Sequence, residues 1–214
     1  LYDMPRVSAK DRPAFVEERR TAILEAALRV WGKRGFDGTS LDEVAIDAGL
    51  TKGTLYLYFP SKRALLEEAF RRYSLRPEIE GALDRLRGQP FEAVVRGLVA
   101  LFWRGISERR ELAGLLLREL PNHAEEARRF LEQVLVPVNE LLAHWLEEAL
   151  PPERRARLDP IVAGRLLPAM VIAFFLTQEI LGAKALVPVP EERILETIAE
   201  LFLRGALGSD APAA

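Results

Sequence analysis

Apolar residues recur at intervals of three and four along almost the whole of this 214-residue chain. That is the spacing of one face of an α-helix, and alternating strand patterns are lacking. From about Arg12 to Arg34, the residues Phe15, Ile23, Ala27, Leu28 and Trp31 share a face. Gly35 ends that helix behind Lys33 and Arg34, whose charges suit the negative end of the helix dipole. Ser40-Leu41-Asp42-Glu43 reads as a capping box opening a short helix, with Leu41, Val44 and Ala45 as its apolar side and Gly49 as its stop. Thr51 caps a second short helix running to about Phe59. After Pro60, Ser61 caps a third, whose Leu65, Leu66, Ala69 and Phe70 face inward. A short helix, a glycine-containing turn and a second short helix form a helix-turn-helix signature. Beyond Pro77 the helices lengthen, to roughly 78–87, 90–108, 110–120, 123–149, 159–184 and 190–206, split by Pro and Gly. The pattern predicts an all-α protein: a mobile arm over 1–12, an N-terminal three-helix bundle with the helix-turn-helix over 13–76, a larger helical domain over 77–208 and a tail at 209–214.

The helix predicted over Thr51–Phe59 carries the chemistry. At about 100° per residue, Leu55 and Phe59 point together and should be buried, while Gly53, Tyr56 and Leu57 lie opposite. A glycine inside so short a helix costs about 1 kcal/mol relative to alanine. Close approach of a phosphate or base edge would compensate. Leu57, facing outward, can meet a thymine methyl in the major groove. Around this face stand groups able to bind phosphate: Thr39, Ser40, Thr51, Lys52, Thr54, Tyr56, Tyr58 and Lys62, with the backbone donors at the flanking helix starts. Lys52, at the N-terminus of the helix entering the groove, is the expected guanine reader.

The stretch from Ser40 to Lys62, with Thr39 before it and Gly35-Phe36 closing the preceding helix, resembles the TetR family of bacterial repressors over the 48 residues from Ile23 to Phe70. The resemblance implies that Thr39, Lys52, Gly53, Thr54, Tyr56, Tyr58 and Lys62 touch operator DNA. It also implies a ligand-binding second domain, whose last two long helices pair with their symmetry mates in a four-helix dimer interface. In the last helix, Ile194, Ile198, Leu201, Phe202 and Gly205 fall at helical spacing and are the expected interface. An effector pocket is expected among Phe102, Trp103, His123, Asn139, His144, Trp145, Phe174, Phe175, Thr177 and Gln178, polar or aromatic groups within apolar stretches. Their mostly apolar character favours a hydrophobic or amphipathic effector of fatty-acyl or aromatic type.

Composition changes this picture little. The net charge of −2 argues against indiscriminate nucleic-acid binding. Residues 1–75 hold 13 Lys+Arg against 11 Asp+Glu, and the remainder 17 against 21, a slight basic bias toward the reading end. Absence of cysteine excludes disulfides and thiolate chemistry and points to the cytoplasm. No secretory signal is evident. The longest apolar run, Leu166 to Leu176, is shorter than the roughly 20 residues of a membrane span, so no membrane partner is expected. His123 and His144 have no partner cluster at metal-ligand spacing, and phosphate loops and nucleophile motifs are missing. No catalytic residue, metal or cofactor is expected.

The sequence reading is therefore a homodimeric, ligand-responsive repressor that binds double-stranded operator DNA of palindromic sequence and is released by a small effector. The helix over Ser61–Ser74 is expected to join pocket to reading head. Two rivals are an all-α enzyme using the central cavity, with the N-terminal bundle as a cap, and a helical interaction module without an effector. Sequence-selective, salt-dependent DNA binding separates the first rival from the regulator, and a well-formed effector site the second.

Overall fold

The computed structural model describes residues 12–72 and 74–208, so the predicted arm, apart from Arg12, and the predicted tail lie outside the described residues. Among those residues every regular element is helical. The α-helices are α1 (Arg12–Arg34), α2 (Leu41–Asp47), α3 (Lys52–Tyr58), α4 (Lys62–Arg72), α5 (Arg76–Arg85) and α6 (Phe91–Glu108). They continue with α7 (Arg110–Glu119), α8 (Ala124–Phe130), α9 (Val136–Ala149), α10 (Pro152–Arg155), α11 (Pro160–Phe175) and α12 (Glu191–Leu207). The chain forms two compact units. The first runs to Arg72 and includes Leu115–Asn122; the second comprises 73–114 and the residues from His123 onward.

The first unit closes around Ile23, Leu24, Trp31, Leu55, Phe59, Leu65 and Phe70, all almost completely buried. Each such side chain contributes about 1.5–3 kcal/mol on burial. Gly35, at φ 79°, takes the left-handed turn that ends α1, and its N–H donates to the Trp31 carbonyl at 2.8 Å. That turn has partners from the 115–122 segment, which the sequence reading assigned to the other domain. The Glu119 carboxylate accepts from the Phe36 N–H at 3.2 Å, and Arg118 donates to the Trp31 carbonyl at 3.3 Å. Leu115 is buried. Glu119 thus gives the Phe36 N–H, beyond the end of α1, its partner, while Arg118 adds a second donor to the Trp31 carbonyl.

Glu68 on α4 is buried, with its carboxylate 3.2 Å from Arg20 and accepting from Arg71 Nε at 3.0 Å. Burial pushes its pKa up, but the hydrogen bonds and charges of Arg71 and Arg20 outweigh this and hold it below its ordinary 4.5. A carboxyl lowered on folding stabilises fully above its unfolded pKa, and that contribution disappears as pH falls through the folded value. Urea unfolding of the wild type should therefore weaken from about pH 4.5 downward. Glu68→Gln should be less stable at pH 7 and have a shallower acid limb; parallel acid limbs would contradict this role.

In the second unit, α6 packs against α5, α11 and α12, and α9 lies along α11. The core holds Val95, Leu98, Phe102, Leu142, Leu146 and Val171. Helices α9 and α11 approach closely at Gly164, where an added Cβ would sit 2.9 Å from the Ala143 nitrogen and 3.3 Å from the Asn139 carbonyl. These are backbone atoms and cannot rotate aside. Gly164→Val should destabilise the protein by about 1–3 kcal/mol through overpacking. An unchanged urea midpoint would show that the helices separate freely.

The helix predicted over 123–149 contains a π-helical turn at Leu131–Leu135, immediately before Val136-Pro137. Proline has no N–H and its ring crowds the carbonyl four residues back, so a wider turn relieves the clash. A second π-helical turn, Leu176–Ile180, follows α11. The helical path Pro160–Ile180 is 21 residues long and its most apolar 18-residue stretch has mean hydropathy 1.8, enough by length and composition to cross a membrane. The sequence expectation is corrected here. The count stopped at Arg165 and at Gln178-Glu179, whereas the helix runs through these isolated polar positions. One third of its most apolar stretch is buried in its own unit, including Ala163, Leu167, Val171 and Phe175. Val162, Leu166, Ala169 and Ala173 remain exposed.

Candidate nucleic-acid interface

The capping box forms as the sequence implies. Ser40 Oγ accepts from the Glu43 N–H at 3.3 Å, and the Glu43 carboxylate accepts from the Ser40 N–H at 2.7 Å. The hydrogen bonds from Ser40 and the charge of Arg34 hold the Glu43 pKa low. Gly49, at φ 67°, makes the left-handed turn after α2, a conformation L side chains resist. Thr51 then caps α3, its Oγ1 accepting from the Thr54 N–H at 3.2 Å and lying 2.8 Å from the Thr54 hydroxyl.

Two residues fix the orientation of α3. Leu55 is 0% exposed and Phe59 1%. Arg20 stacks over the Phe59 ring at 4.6 Å and donates to the Tyr58 carbonyl at 3.4 Å. The opposite face is therefore open to solvent. Nothing lies within 4 Å of where a Gly53 Cβ would stand, and Leu57 is 86% exposed, Tyr56 42%. Lys52 extends from this face, its ammonium 5.8 Å from the Tyr56 ring centre and 2.8 Å from the Asp42 carboxylate. The hydrogen bond to Asp42, and then its charge, raise the Lys52 pKa.

Of the ten expected DNA contacts, Thr39, Ser40 and Lys62 have their side-chain polar atoms engaged with the 35–43 segment. Thr39 is buried, and its hydroxyl faces the Gly35 and Phe36 carbonyls at 3.2 and 3.0 Å. Its single proton is directed inward. The Lys62 ammonium donates to the Phe36 and Thr39 carbonyls at 2.7 and 3.0 Å and lies 4.3 Å from the Phe36 ring centre. Ser40 Oγ also donates to the Glu43 carboxylate, at 3.1 Å, closing a local cycle. These three side chains fasten the 35–40 turn that positions α2. Ser40, Thr51, Lys52, Gly53, Tyr56 and Leu57 are exposed, and Thr54 and Tyr58 are half-buried.

Sequence reasoning missed Asp42 and Ile46. Ile46 is 78% exposed on α2, although it falls among the apolar residues of that helix. It also missed that Arg29 pairs with Asp47 at 2.8 Å and Arg34 with Glu43. No regular spacing links these partners, so sequence offered no signal for them.

The ten residues assigned to an effector pocket do not converge. Phe102, Trp103 and Phe175 are core, with Trp103 and Phe175 edge to face at 5.3 Å. Trp145 stacks on Phe91 at 5.3 Å. Gln178 is buried, and its Oε1 has no hydrogen-bond partner. By contrast, Phe174 and Thr177 face outward, and His144 pairs at the surface with Glu148 at 3.4 Å. His123 and Asn139 are half-buried. Phe174 and Thr177 lie along the α11 path, which is apolar nearly all round, so its sequence could not show which side faces inward; His144 lies on α9. An open depression of about 500 Å³, lined by Glu147, Pro152, Arg155, Ala156 and Pro160, contains none of the ten. Among the described residues no group of three or more His, Asp or Glu is placed to hold a metal.

The residues of the expected dimer face divide in the fold. Ile194, Ile198 and Phe202 are buried in the core of their own unit, whereas Leu201 is 61% exposed and Gly205 faces open space. Both sets recur at helical spacing, and only packing against α6 and α11 distinguishes them.

Residues 23–69, from within α1 to within α4, match the family model described as bacterial regulatory proteins, tetR family. Over these residues the chain is similar to the TetR family. It is 25% identical over 209 residues to the HTH-type transcriptional regulator EthR of Mycolicibacterium smegmatis, covering 96% of this chain and 93% of that one. Matches to two other curated regulators are partial, spanning only 46% and 41% of their length. Among solved structures, a TetR-family regulator from Syntrophomonas wolfei superposes with a TM-score of 0.74 at 16% identity, over 92% of this chain and 99% of that one. FadR from Bacillus subtilis, in complex with stearoyl-CoA, superposes with a TM-score of 0.64 at 16% identity, over 86% and 98%. The TetR-family fold, an N-terminal helix-turn-helix domain followed by a helical domain, thus extends beyond the segment whose sequence identifies it.

Proposed function

We propose that this chain is a homodimeric, ligand-responsive transcriptional repressor that reads a palindromic operator with α3 and is released by an apolar or amphipathic effector. One observation carries the reading: Leu55 and Phe59 anchor α3 while Lys52, Gly53, Tyr56 and Leu57 stand outward. A seven-residue helix exposing a leucine and an unobstructed glycine fits a duplex groove, where the leucine meets a methyl and the glycine admits close approach. A dimer is supported by the exposed apolar stripe Val162, Leu166, Ala169 and Ala173 on α11, with Leu201 and Gly205 on α12. An uncovered stripe of that kind, on a helix whose most apolar 18-residue stretch has mean hydropathy 1.8, calls for a partner surface.

The effector class follows from the interior of the second unit, where Phe102, Trp103 and Phe175 offer apolar surface and Gln178 Oε1 is an unpartnered acceptor. An acyl or aromatic molecule matches that apolar chemistry, in keeping with the stearoyl-CoA held by the FadR neighbour. Effector and operator oppose each other reciprocally by linkage.

Selection from a random duplex library tests the proposal. It should enrich an inverted repeat with half-sites about 34–36 Å apart, or a multiple of that. Long-chain acyl-CoA or an aromatic panel should release the enriched site. Failure to enrich any sequence would overturn the DNA-reading role.

A further inference from the structure

Three cations of the reading head face carboxylates of α2. Arg29 pairs with Asp47, Arg34 with Glu43 and Lys52 with Asp42. The last pair is the one that bears on reading. Its 2.8 Å contact joins the first residue of α3 to the second residue of α2, and Lys52 and Asp42 are 64% and 48% exposed. We infer that Asp42 is a specificity-determining positioning residue, which fixes the Lys52 ammonium over the groove face of α3 while cancelling its attraction for phosphate.

An ammonium carries three donors. Asp42 accepts from one, leaving two for the acceptors of a guanine edge, so base reading proceeds without breaking the pair. A phosphate on arbitrary sequence gains little from the same lysine. Either the pair persists and contributes almost no net charge, or it breaks and leaves the Asp42 carboxylate beside a phosphate. Asp42 therefore subtracts from sequence-independent affinity and spares the base contact. The slight basic excess of the reading end, 13 Lys+Arg against 11 Asp+Glu over residues 1–75, gives that subtraction weight.

This inference rests on α3 reading duplex DNA, as proposed above. The test compares wild type, Asp42→Asn, Lys52→Met and the double variant on the selected operator and on unrelated duplex, by fluorescence anisotropy from 50 to 300 mM salt. Asp42→Asn should tighten unrelated duplex about tenfold and steepen its salt slope by about 0.9, the increment for one added phosphate contact. Operator affinity should stay level or fall, so selectivity drops about tenfold or more. In the Lys52→Met background the Asp42→Asn effects should vanish. Undiminished selectivity, an unchanged slope, or effects that persist without Lys52 would overturn the inference. Asp42→Ser reports the same quantities if the Asn variant does not fold. A wild type that selects no sequence defeats the DNA-reading proposal; a wild type that selects, with equally selective Asp42→Asn, defeats only the role of Asp42.

Discussion

Replacing Leu57 with Glu should reduce operator affinity more than a hundredfold and leave the thermal midpoint within about a degree of wild type. Leu57 is 86% exposed and makes no contribution to the core, so folding has little to lose. Surface changes away from structural features stay within about 0.5 kcal/mol. Bound to duplex, the same position lies on the face with Lys52 and Gly53, where an added carboxylate meets base-edge acceptors and phosphates. Loss of an apolar contact with a thymine methyl and the cost of an unpaired charge at a desolvated interface act together. Leu57→Ala separates them, removing the methyl contact alone, for a loss of about 1–3 kcal/mol. Equal operator titrations of wild type and Leu57→Glu would show that another face reads DNA.

A second large effect is expected from Leu166→Arg combined with Leu201→Arg. Both positions are exposed in the isolated chain, at 49% and 61%, so the substitutions disturb no core packing. In the proposed dimer they bring like charges together within an apolar interface. Sedimentation equilibrium should report a monomer. Operator affinity should fall by 10²–10⁴, the avidity lost when two linked reading heads act singly. The control is Ile198→Arg. Ile198 is buried in its own unit, so that change should unfold the protein rather than split it. If the double variant remains dimeric, the α11–α12 stripe is not the dimer face. If the wild-type stripe instead carries the chain onto lipid vesicles, its occupant is a membrane.

The reading head was largely legible in sequence because its signals are local. A cap and its backbone partner lie three residues apart, a left-handed turn demands glycine, and a seven-residue helix offers few ways to bury a leucine and a phenylalanine four apart. The Ser40–Glu43 box, Gly49 and the inward Leu55 and Phe59 appear where the pattern put them. The misread atoms are those whose partners lie far along the chain. Lys62 looked like a free cation, but its ammonium is held by carbonyls 23 and 26 residues away. Glu119 belongs to the first unit through a hydrogen bond across 83 residues.

In the second unit, periodicity placed most helix limits within a few residues but could not orient the helices. Helix α11 is apolar on nearly every side, and α12 repeats apolar residues on both its inner and outer faces. Either side of each was chemically acceptable as core, so periodicity left open which residues of the expected dimer face and pocket are core.

By itself, then, the sequence determined the helical class, the punctuation of the helices and the outward face of α3, because these depend on residues within one or two turns of each other. Tertiary structure decided which cations are neutralised, which apolar face of α12 is core, and that 115–122 folds with the reading head. Those outcomes turn on contacts between segments tens of residues apart, and the spacing of residues along a chain does not encode which distant surfaces meet.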